Sequence, residues 1–338
     1  MKKVPALIAD TANILLLTSA SSERQKLTRI LSATGCKLYL ASDVTEASQI
    51  VVKRVIDILV VDYDRQQEQC QSNGGQQLDD FLSQYAQMPA SRWVNGKNHI
   101  LLLSSWHKRE ERSRLLTLPF VSHVVAYHDH FSPEELIITV GKILRNDLFG
   151  LDKYLSYGAT PVTYEVTSSH QKGPILRTFS EYATMLGINR RIISSATGVA
   201  DEFLMNAIYD APIHPDGMRP YARLPRTESV DLKEGESCFF SFAGDGRHLL
   251  LSMRDRFGSL TPDRIRSCLV RCFSMGADQI EQKQGGAGMG LYFIMESLNK
   301  MIVNISPGRG TEFIGIIDIS GTYRDYVEQH KSFHIFVG

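Results

Sequence analysis

The sequence lacks both an excess of charge of one sign and long apolar runs. Lys and Arg together number 37, and so do Asp and Glu, which gives a formal net charge of zero. A neutral chain lacks the broad basic surface with which proteins hold a nucleic-acid backbone. No apolar run approaches the roughly 18 residues that a membrane-spanning helix needs. We therefore expect a soluble protein that binds neither nucleic acid nor membrane.

Cysteine is also scarce, and its spacing excludes two further classes. The five cysteines are Cys36, Cys70, Cys238, Cys268 and Cys272. Their odd number and the absence of a CxxC motif indicate neither a disulfide framework nor a zinc site. The apolar stretch that follows Met1 is broken at Asp10, which is too early for a secretory signal. These features favour a cytoplasmic location.

The length of the chain favours two domains. The chain has 338 residues, of which 43% are hydrophobic and 22% are charged. This composition is ordinary for a globular protein, and roughly 150 residues per domain gives two domains with one core each.

Residues 13–145 alternate short apolar runs with amphipathic stretches, which predicts a doubly wound parallel sheet. The five predicted strands are Ile14–Leu17, Lys37–Leu40, Asp57–Val61, His99–Leu103 and His123–Ala126. Helices are predicted near 21–34, 43–54, 77–87, 107–117 and 132–145, and the Gln-rich remainder of 65–98 is predicted to be an extended loop. The last helix has a clear start, because Ser132 is a good N-cap and Pro133 suits the first helical position.

Two segments of this half carry a family resemblance. Residues 57–62 read DILVVD, and residues 131–136 read FSPEEL. With the spacing of the five strands, they make residues 1–145 resemble the receiver domain of bacterial response regulators. The resemblance implies a (βα)5 fold and makes Asp62 the counterpart of the phosphoacceptor.

The other parts of a receiver phosphorylation site are missing. Thr18 and Ser19 stand where the family has an acidic pair that holds Mg²⁺, which phosphoryl transfer to a carboxylate requires. Residues 128–130 contain no lysine, although Ser104 or Ser105 can replace the family's hydroxyl residue. We therefore interpret Asp62 as a strand-terminal acid in a degenerate receiver that serves for docking or as a homodimer contact. Phosphorylation at Asp62 is the alternative.

The second half is predicted to be α+β. Residues 146–160 form a linker, residues 161–320 form a domain with helices on one face of a mixed sheet, and residues 321–338 form a C-terminal extension. The extension is rich in aromatic residues, and two alternatives remain open for it: an added strand or a dimer contact.

Four motifs in the second half have the residue types of a nucleotide site. Residues 284–291 read QGGAGMGL and run into an amphipathic segment, and glycines at a helix entry let backbone N–H groups approach phosphate oxygens. No Walker lysine is present, and no strand precedes these glycines as a dinucleotide fingerprint requires. The other three motifs are Glu202 with Asn206 at i and i+4, DRFG at 255–258, and GRGTEF at 308–313.

In this order the motifs resemble the nucleotide-binding boxes of the ATPase family that histidine kinases, anti-sigma-factor serine kinases, gyrase and Hsp90 share. The ExxxN form of the first box resembles the anti-sigma serine-kinase branch. The resemblance implies ATP and Mg²⁺ as ligands and a two-layer α+β fold over residues 161–320. It makes Glu202 the catalytic base, Asn206 the Mg²⁺ ligand, and Asp255 with Thr311 the adenine contacts. The implied lid and pocket residues are Gly258, Gly285, Gly286, Gly288, Gly290 and Leu291.

Each motif also has a structural explanation. Glu202 and Asn206 can lie on a solvated helix face, and residues 308–310 can form only a hairpin turn. The second box departs from the family pattern DxGxG, because Phe257 and Ser259 occupy the two glycine positions. A bulky Phe257 would reshape or partly close an adenine pocket.

Three functions follow from these patterns. The first is a protein-serine/threonine kinase of the anti-sigma type that acts on a protein partner. The second is a non-catalytic module that sequesters a partner and retains a vestigial nucleotide pocket, which Phe257 and Ser259 favour. The third is a response regulator phosphorylated at Asp62. Residues 146–160 are too few to hold the phosphoacceptor hairpin of a complete histidine kinase.

Overall fold

The computed structural model describes residues 12–73, 78–89, 98–127, 131–274 and 289–338. The strands are β1 Asn13–Leu17, β2 Lys37–Ala41, β3 Ile58–Asp62, β4 His99–Ser104, β5 His123–Ala126, β6 Val162–Val166, β7 Cys238–Gly244, β8 His248–Arg254, β9 Lys300–Ser306, β10 Gly310–Asp318 and β11 Ser332–Val337. They form one 11-stranded sheet in the order β2-β1-β3-β4-β5-β11-β9-β10-β8-β7-β6.

The described α-helices pack on this sheet. They are α1 Ser21–Ser32, α2 Val44–Lys53, α3 Tyr63–Asn73, α4 Leu78–Ala86, α5 Arg109–Thr117, α6 Pro133–Arg145, α7 Lys172–Met185, α8 Arg190–Met205, α9 Pro262–Ser274, α10 Met289–Ser297 and α11 Tyr323–Glu328. None of these helices combines the length and the apolar content that crossing a bilayer requires.

The first half has the predicted receiver-like α/β fold. Strands β2, β1, β3, β4 and β5 are adjacent in that order, and every pair among them is parallel. All five residues of β3 are buried, as a central strand covered by helices on both faces requires. This strand order places the carboxyl ends of β1, β3 and β4 side by side, where ligands of doubly wound sheets bind.

The prediction of an extended loop from residue 65 is wrong for its first part. Residues up to Asn73 continue as helix α3, and Gln is a good helix former even though this helix has no apolar stripe. Its glutamines are anchored by side-chain contacts: Gln66 Nε2 donates to the Ser42 carbonyl at 3.1 Å, and Gln67 Nε2 donates to the Tyr63 hydroxyl at 2.8 Å.

Strands β6 to β10 of the second half are joined by antiparallel pairs, with β10 between β8 and β9. Helix α8 begins after Asn189, whose side chain accepts a hydrogen bond from the Arg191 N–H. The apolar residues of α8 recur at helical spacing and are buried: Ile192, Ala196, Val199 and Phe203. Glu202 therefore lies beside the buried stripe and not within it.

Strand β11 joins the two halves. It runs parallel to β9 from Ser332 to Val337 and antiparallel to β5, where Phe333 faces Val124. Of the two alternatives for the C-terminal extension, the structure therefore has the added strand. Two hydrophobic cores are present, one on each face of the sheet. Each core contains residues of both halves, so the cores do not correspond to the two halves.

The segment between the halves lies against the sheet. Helix α6 ends at Arg145, and the following Asn146 has a left-handed backbone with a φ of 51°. A single 3-10 turn follows at Leu151–Tyr154. Leu148 and Leu151 are buried in the same cluster as Leu250 of β8 and Ile314 of β10. This segment therefore covers one face of the second half's sheet.

Candidate functional site

Asp62, at the carboxyl end of β3, has a buried carboxylate that already has a hydrogen-bond partner within the protein. Asp62 is 2% exposed, and its Oδ2 accepts a hydrogen bond of 2.8 Å from the Thr18 hydroxyl. Arg65 Nε lies 3.7 Å from the same oxygen. Burial raises the pKa of Asp62, and the Thr18 hydrogen bond opposes this shift. Thr18, which directly follows β1, therefore contacts this carboxylate.

A second acid nearby uses the hydroxyl residues that follow β4. Asp64 Oδ1 accepts from the Ser104 hydroxyl at 2.6 Å. Its Oδ2 accepts from the Ser105 N–H at 2.7 Å and from the Ser105 hydroxyl at 2.9 Å. The hydroxyl residue expected to serve Asp62 is therefore bound to Asp64 on α3, a pairing that sequence reasoning missed because it treated this helix as a loop.

In the second half, Glu202 lies against the end of the glycine-rich stretch. A Cβ atom at Gly290 in α10 would be 2.0 Å from Glu202 Oε2, so only glycine allows this approach without a shift of the carboxylate. Burial raises the pKa of Glu202, and the neighbouring Asp201 raises it further. A half-buried carboxylate with a raised pKa is suited to accept a proton.

Asn206 marks a change in the helix. Regular α-helix ends at Met205, and residues Asn206–Asp210 form a π-helical turn in which the Ala211 N–H donates to the Asn206 carbonyl at 2.8 Å. Single π-turns within helices are frequent at functional sites. The turn is held by Arg226, whose Nη2 donates to Asp210 Oδ2 at 2.6 Å.

Asp255 follows β8 and is held by backbone groups. Its Oδ1 accepts from the N–H groups of Phe257 at 2.7 Å, Gly258 at 3.1 Å and Thr311 at 3.1 Å. Burial raises the pKa of Asp255, and the three N–H groups and the Thr311 side chain oppose that shift. No described residue donates a hydrogen bond to Oδ2, so this oxygen can accept one from a ligand.

The turn that contains GRGTEF is packed on the DRFG loop. Gly258 has a φ of +61°, and a Cβ atom there would be 2.1 Å from the Ser306 carbonyl oxygen. Thr311 is 1% exposed, and its Oγ1 lies close enough to the Asp255 carboxylate to lower the pKa of that group but forms no well-aligned hydrogen bond with a described residue. A buried hydroxyl without a partner is costly, so this atom is a candidate for a ligand contact.

The predicted nucleotide residues thus meet as two pairs, Glu202 with Gly290 and Asp255 with Thr311. Phe203 follows Glu202, and Phe313 lies two residues after Thr311. The rings of these two residues are in contact, with their centroids 5.8 Å apart. Leu291 is half-buried at the core. The lid residues Gly285, Gly286 and Gly288 lie outside the described residues.

Sequence reasoning missed Arg219. Its Nη1 donates to the Asp210 carbonyl, and its Nη2 donates to the Ser259 hydroxyl at 3.1 Å. It therefore joins the π-turn after Asn206 to the loop after Asp255. A Pro-containing loop without a motif gave no signal for this role.

The comparisons with known proteins add little to this geometry. No protein-family model matches the chain. No curated protein matches it either.

Solved structures of receiver domains match the first half, and three of them serve as examples. The chemotaxis response regulator CheY4 of Vibrio cholerae is 19% identical, and the match covers 40% of this chain and 99% of that chain with a TM-score of 0.31. A receiver domain from a Pseudomonas fluorescens protein is 17% identical over 40% of this chain and 96% of its own, with a TM-score of 0.31. A Francisella receiver domain is 17% identical over 40% of this chain and 98% of its own, with a TM-score of 0.32. The strand order itself, and not these low scores, defines the receiver-like topology.

Proposed function

We propose that this chain is a signalling regulator of the two-component type whose second half, residues 161–320, binds ATP with Mg²⁺ and acts on a protein partner. The observation that carries the proposal is the meeting of separate sequence motifs as two contact pairs. Glu202 touches Gly290 across 88 residues of chain, and Asp255 binds the Thr311 N–H across 56.

Asp255 and Thr311 would recognise the base. Oδ1 of Asp255 is held by backbone N–H groups, which fix the carboxylate and leave Oδ2 to accept from the amino group of adenine. The buried Thr311 Oγ1 lacks a hydrogen-bond partner and would gain one from the same ring. A bound purine would therefore give the buried Thr311 hydroxyl a partner and would also be held by the Asp255 carboxylate.

Glu202 and Asn206 fit the phosphate end. Mg²⁺ prefers oxygen ligands and is commonly held by one or two protein groups together with substrate phosphates, where it neutralises charge. The described residues contain no cluster of three His, Cys, Asp or Glu side chains that could hold a metal alone. The Asn206 amide oxygen would therefore supply a single ligand, and Gly285, Gly286, Gly288 and Gly290 would leave room for phosphates.

The reaction we propose is phosphoryl transfer to a serine or threonine of the partner. Glu202 would take the proton of the serine or threonine hydroxyl. The hydroxyl oxygen would bond to the γ-phosphorus of ATP while the bond between that phosphorus and the ADP oxygen breaks. Burial and Asp201 raise the pKa of Glu202, which makes it a better base than an exposed carboxylate. Positioning and charge neutralisation would supply most of the rate.

A sequestering module with a retained nucleotide pocket is the second candidate. The observation that favours it is the contact between Arg219 and Ser259, because a side chain is bound at a position where the family has glycine. In this case ATP would bind but no phosphate would be transferred. Phosphorylation at Asp62 is less well supported, since Thr18 already occupies its Oδ2.

Calorimetric titration with ATP and Mg²⁺ tests the binding site. We expect saturable heat with the wild type and its loss in Asp255→Asn, whereas Glu181→Gln, which changes an exposed acid on α7, should bind as the wild type does. Negligible heat with the wild type would refute nucleotide binding.

Transfer is tested separately with ATP labelled in its γ-phosphate and proteins captured from a bacterial extract. Loss of transfer in Glu202→Gln without loss of ATP affinity supports the kinase. Binding without transfer by the wild type supports sequestration. For the first half, beryllofluoride with Mg²⁺ should cause no spectroscopic shift, and a shift abolished by Asp62→Asn would overturn our interpretation of that residue.

A further inference from the structure

A cavity of about 360 Å³ lies where three parts of the chain meet. Its walls come from the segment after β4 with α5, from α10, and from the C-terminal segment. The residues used below are Trp106, Arg112, Phe293, Glu296, Tyr323 and Lys331. This volume lies within the range of roughly 300–1,000 Å³ that small-molecule sites have. The cavity is separate from Glu202 and Asp255, which do not line it.

The charges around the cavity do not balance. Arg112 Nη1 lies 2.5 Å from Glu296 Oε1, so these two charges neutralise each other. Lys331 Nζ donates to the backbone carbonyls of Glu296 at 2.7 Å and Leu298 at 3.0 Å, and it forms no salt bridge with a described residue. An ammonium group has three N–H donors, so one remains. Burial lowers the pKa of Lys331 to about 8, which leaves the group mostly charged at neutral pH.

Two imidazole rings also line the cavity. The rings of His107 and His330 both line it, with their centroids 5.0 Å apart. Among the described residues, the carboxylate in the lining is that of Glu296, which Arg112 binds. A ligand that enters would therefore meet an excess of positive charge, which favours an anion.

Three aromatic side chains also contribute to the lining, beside polar residues such as Ser195, Ser297 and Gln329. Phe293 is 39% exposed, although its ring rests on α8 so closely that a Cβ atom at Gly198 would lie 2.8 Å from it. Tyr323 is half-buried, and Trp106 is buried with its Nε1 occupied by the Lys331 carbonyl. The rings of Phe293 and Tyr323 offer flat apolar surfaces to a ligand. Such surfaces suit a planar ligand.

We propose that this cavity binds a small organic anion built on a flat ring, with its negative group on Lys331 and its ring against Phe293 and Tyr323. The site is independent of nucleotide binding, because none of the proposed nucleotide residues takes part in it. An aromatic carboxylate is the simplest member of this class.

Fluorescence titration of the full chain with anilinonaphthalene sulfonate, an aromatic anion, tests the proposal. We expect saturable binding at one site, displaced by benzoate but not by the neutral benzamide or the cationic benzylamine. Equal displacement by all three competitors, or the absence of saturable binding, would overturn it.

Variants show whether the probe occupies this cavity. Lys331→Met removes a charge-assisted hydrogen bond and should weaken binding about tenfold. Phe293→Ala should weaken it similarly, and because this side chain is partly exposed the variant remains folded even if Lys331→Met does not. Tyr157→Ala removes a fully exposed aromatic ring elsewhere and should leave binding unchanged. Unchanged binding in Phe293→Ala would contradict the proposed site.

Discussion

His334 Nε2 lies 3.0 Å from Glu135 Oε1, and this contact ties β11 to helix α6 inside the protein. The second carboxylate oxygen of Glu135 is 2.7 Å from Lys300 Nζ, at the start of β9. Burial opposes ionisation of Glu135, but Lys300 and the His334 hydrogen bond outweigh it and lower its pKa to about 2. One carboxylate therefore holds together three elements from the two halves.

Replacing Glu135 should destabilise the protein strongly. In Glu135→Ala, Lys300 and the buried His334 lose their shared partner, and breaking a buried ion pair in this way costs about 3–5 kcal/mol. Glu134→Gln changes the adjacent exposed acid and should alter the free energy of unfolding by less than about 0.5 kcal/mol. Urea unfolding of both variants measures the difference, and equal stabilities would show that the contact contributes nothing.

Lys142 should make the stability rise with pH. Its Nζ donates to the Tyr154 hydroxyl and to Asn304 Oδ1, both at 2.8 Å, and burial lowers its pKa to about 7. In an unfolded chain the pKa is about 10.4. Between these pH values the unfolded chain keeps a proton that the folded protein has released, so the free energy of unfolding increases with pH, by at most about 1.4 kcal/mol per pH unit.

The slope of stability against pH isolates this group. Lys142→Met should flatten the slope between neutral pH and pH ~10, the upper limit being the pKa of a free lysine. The free energy of unfolding of Lys142→Met at a single pH does not isolate the titration of Lys142, because Tyr154 and Asn304 also lose a hydrogen-bond partner in this variant. An unchanged slope would show that Lys142 titrates normally in the folded protein.

Gly258 should tolerate no side chain. Gly258→Ala combines a left-handed backbone, which costs an L-residue about 1–2 kcal/mol, with a clash against the Ser306 carbonyl. Gly246→Ala has a similar φ of +87° and nothing within 4 Å of the new atom, so it measures the backbone cost alone. In thermal unfolding, Gly258→Ala should have a much lower melting temperature than Gly246→Ala. Equal melting temperatures would contradict the close packing of the two loops.

Gly290 should matter for activity more than for stability. A methyl group there would displace the end of the flexible Glu202 side chain, so Gly290→Ala should reduce phosphoryl transfer while the protein remains folded. Gly141→Ala in helix α6 meets nothing within 4 Å and should be neutral or stabilising by about 0.5–1 kcal/mol. The measurement is the transfer rate beside the melting temperature. An unchanged transfer rate in Gly290→Ala would show that Glu202 does not act in phosphoryl transfer.

Local pattern predicted much of the first half. Strands β1, β3, β4 and β5 are buried runs because helices cover both faces of the sheet. The start of α6 agrees with the proline at its first position, whereas the Ser132 side chain forms no capping hydrogen bond. Helix α3 was missed because its polar residues carry no periodicity and are held by tertiary contacts such as that of Gln66 with Ser42.

Long-range contacts explain what sequence could not predict. The place of β11 depends on pairing Phe333 with Val124, and no local pattern encodes a partner so distant. The motifs indicated Glu202, Asp255 and Thr311 separately, but their contacts and the link through Arg219 exist only in the folded chain.

The position of β11 also affects how the protein is made. Both of its neighbours, β5 and β9, precede it in the chain, so a ribosome delivers two sheet edges before the strand that belongs between them. Until β11 emerges, those edges present unpaired N–H and C=O groups that can bind other chains. The nascent protein should therefore depend on chaperones longer than a protein whose two halves close independently.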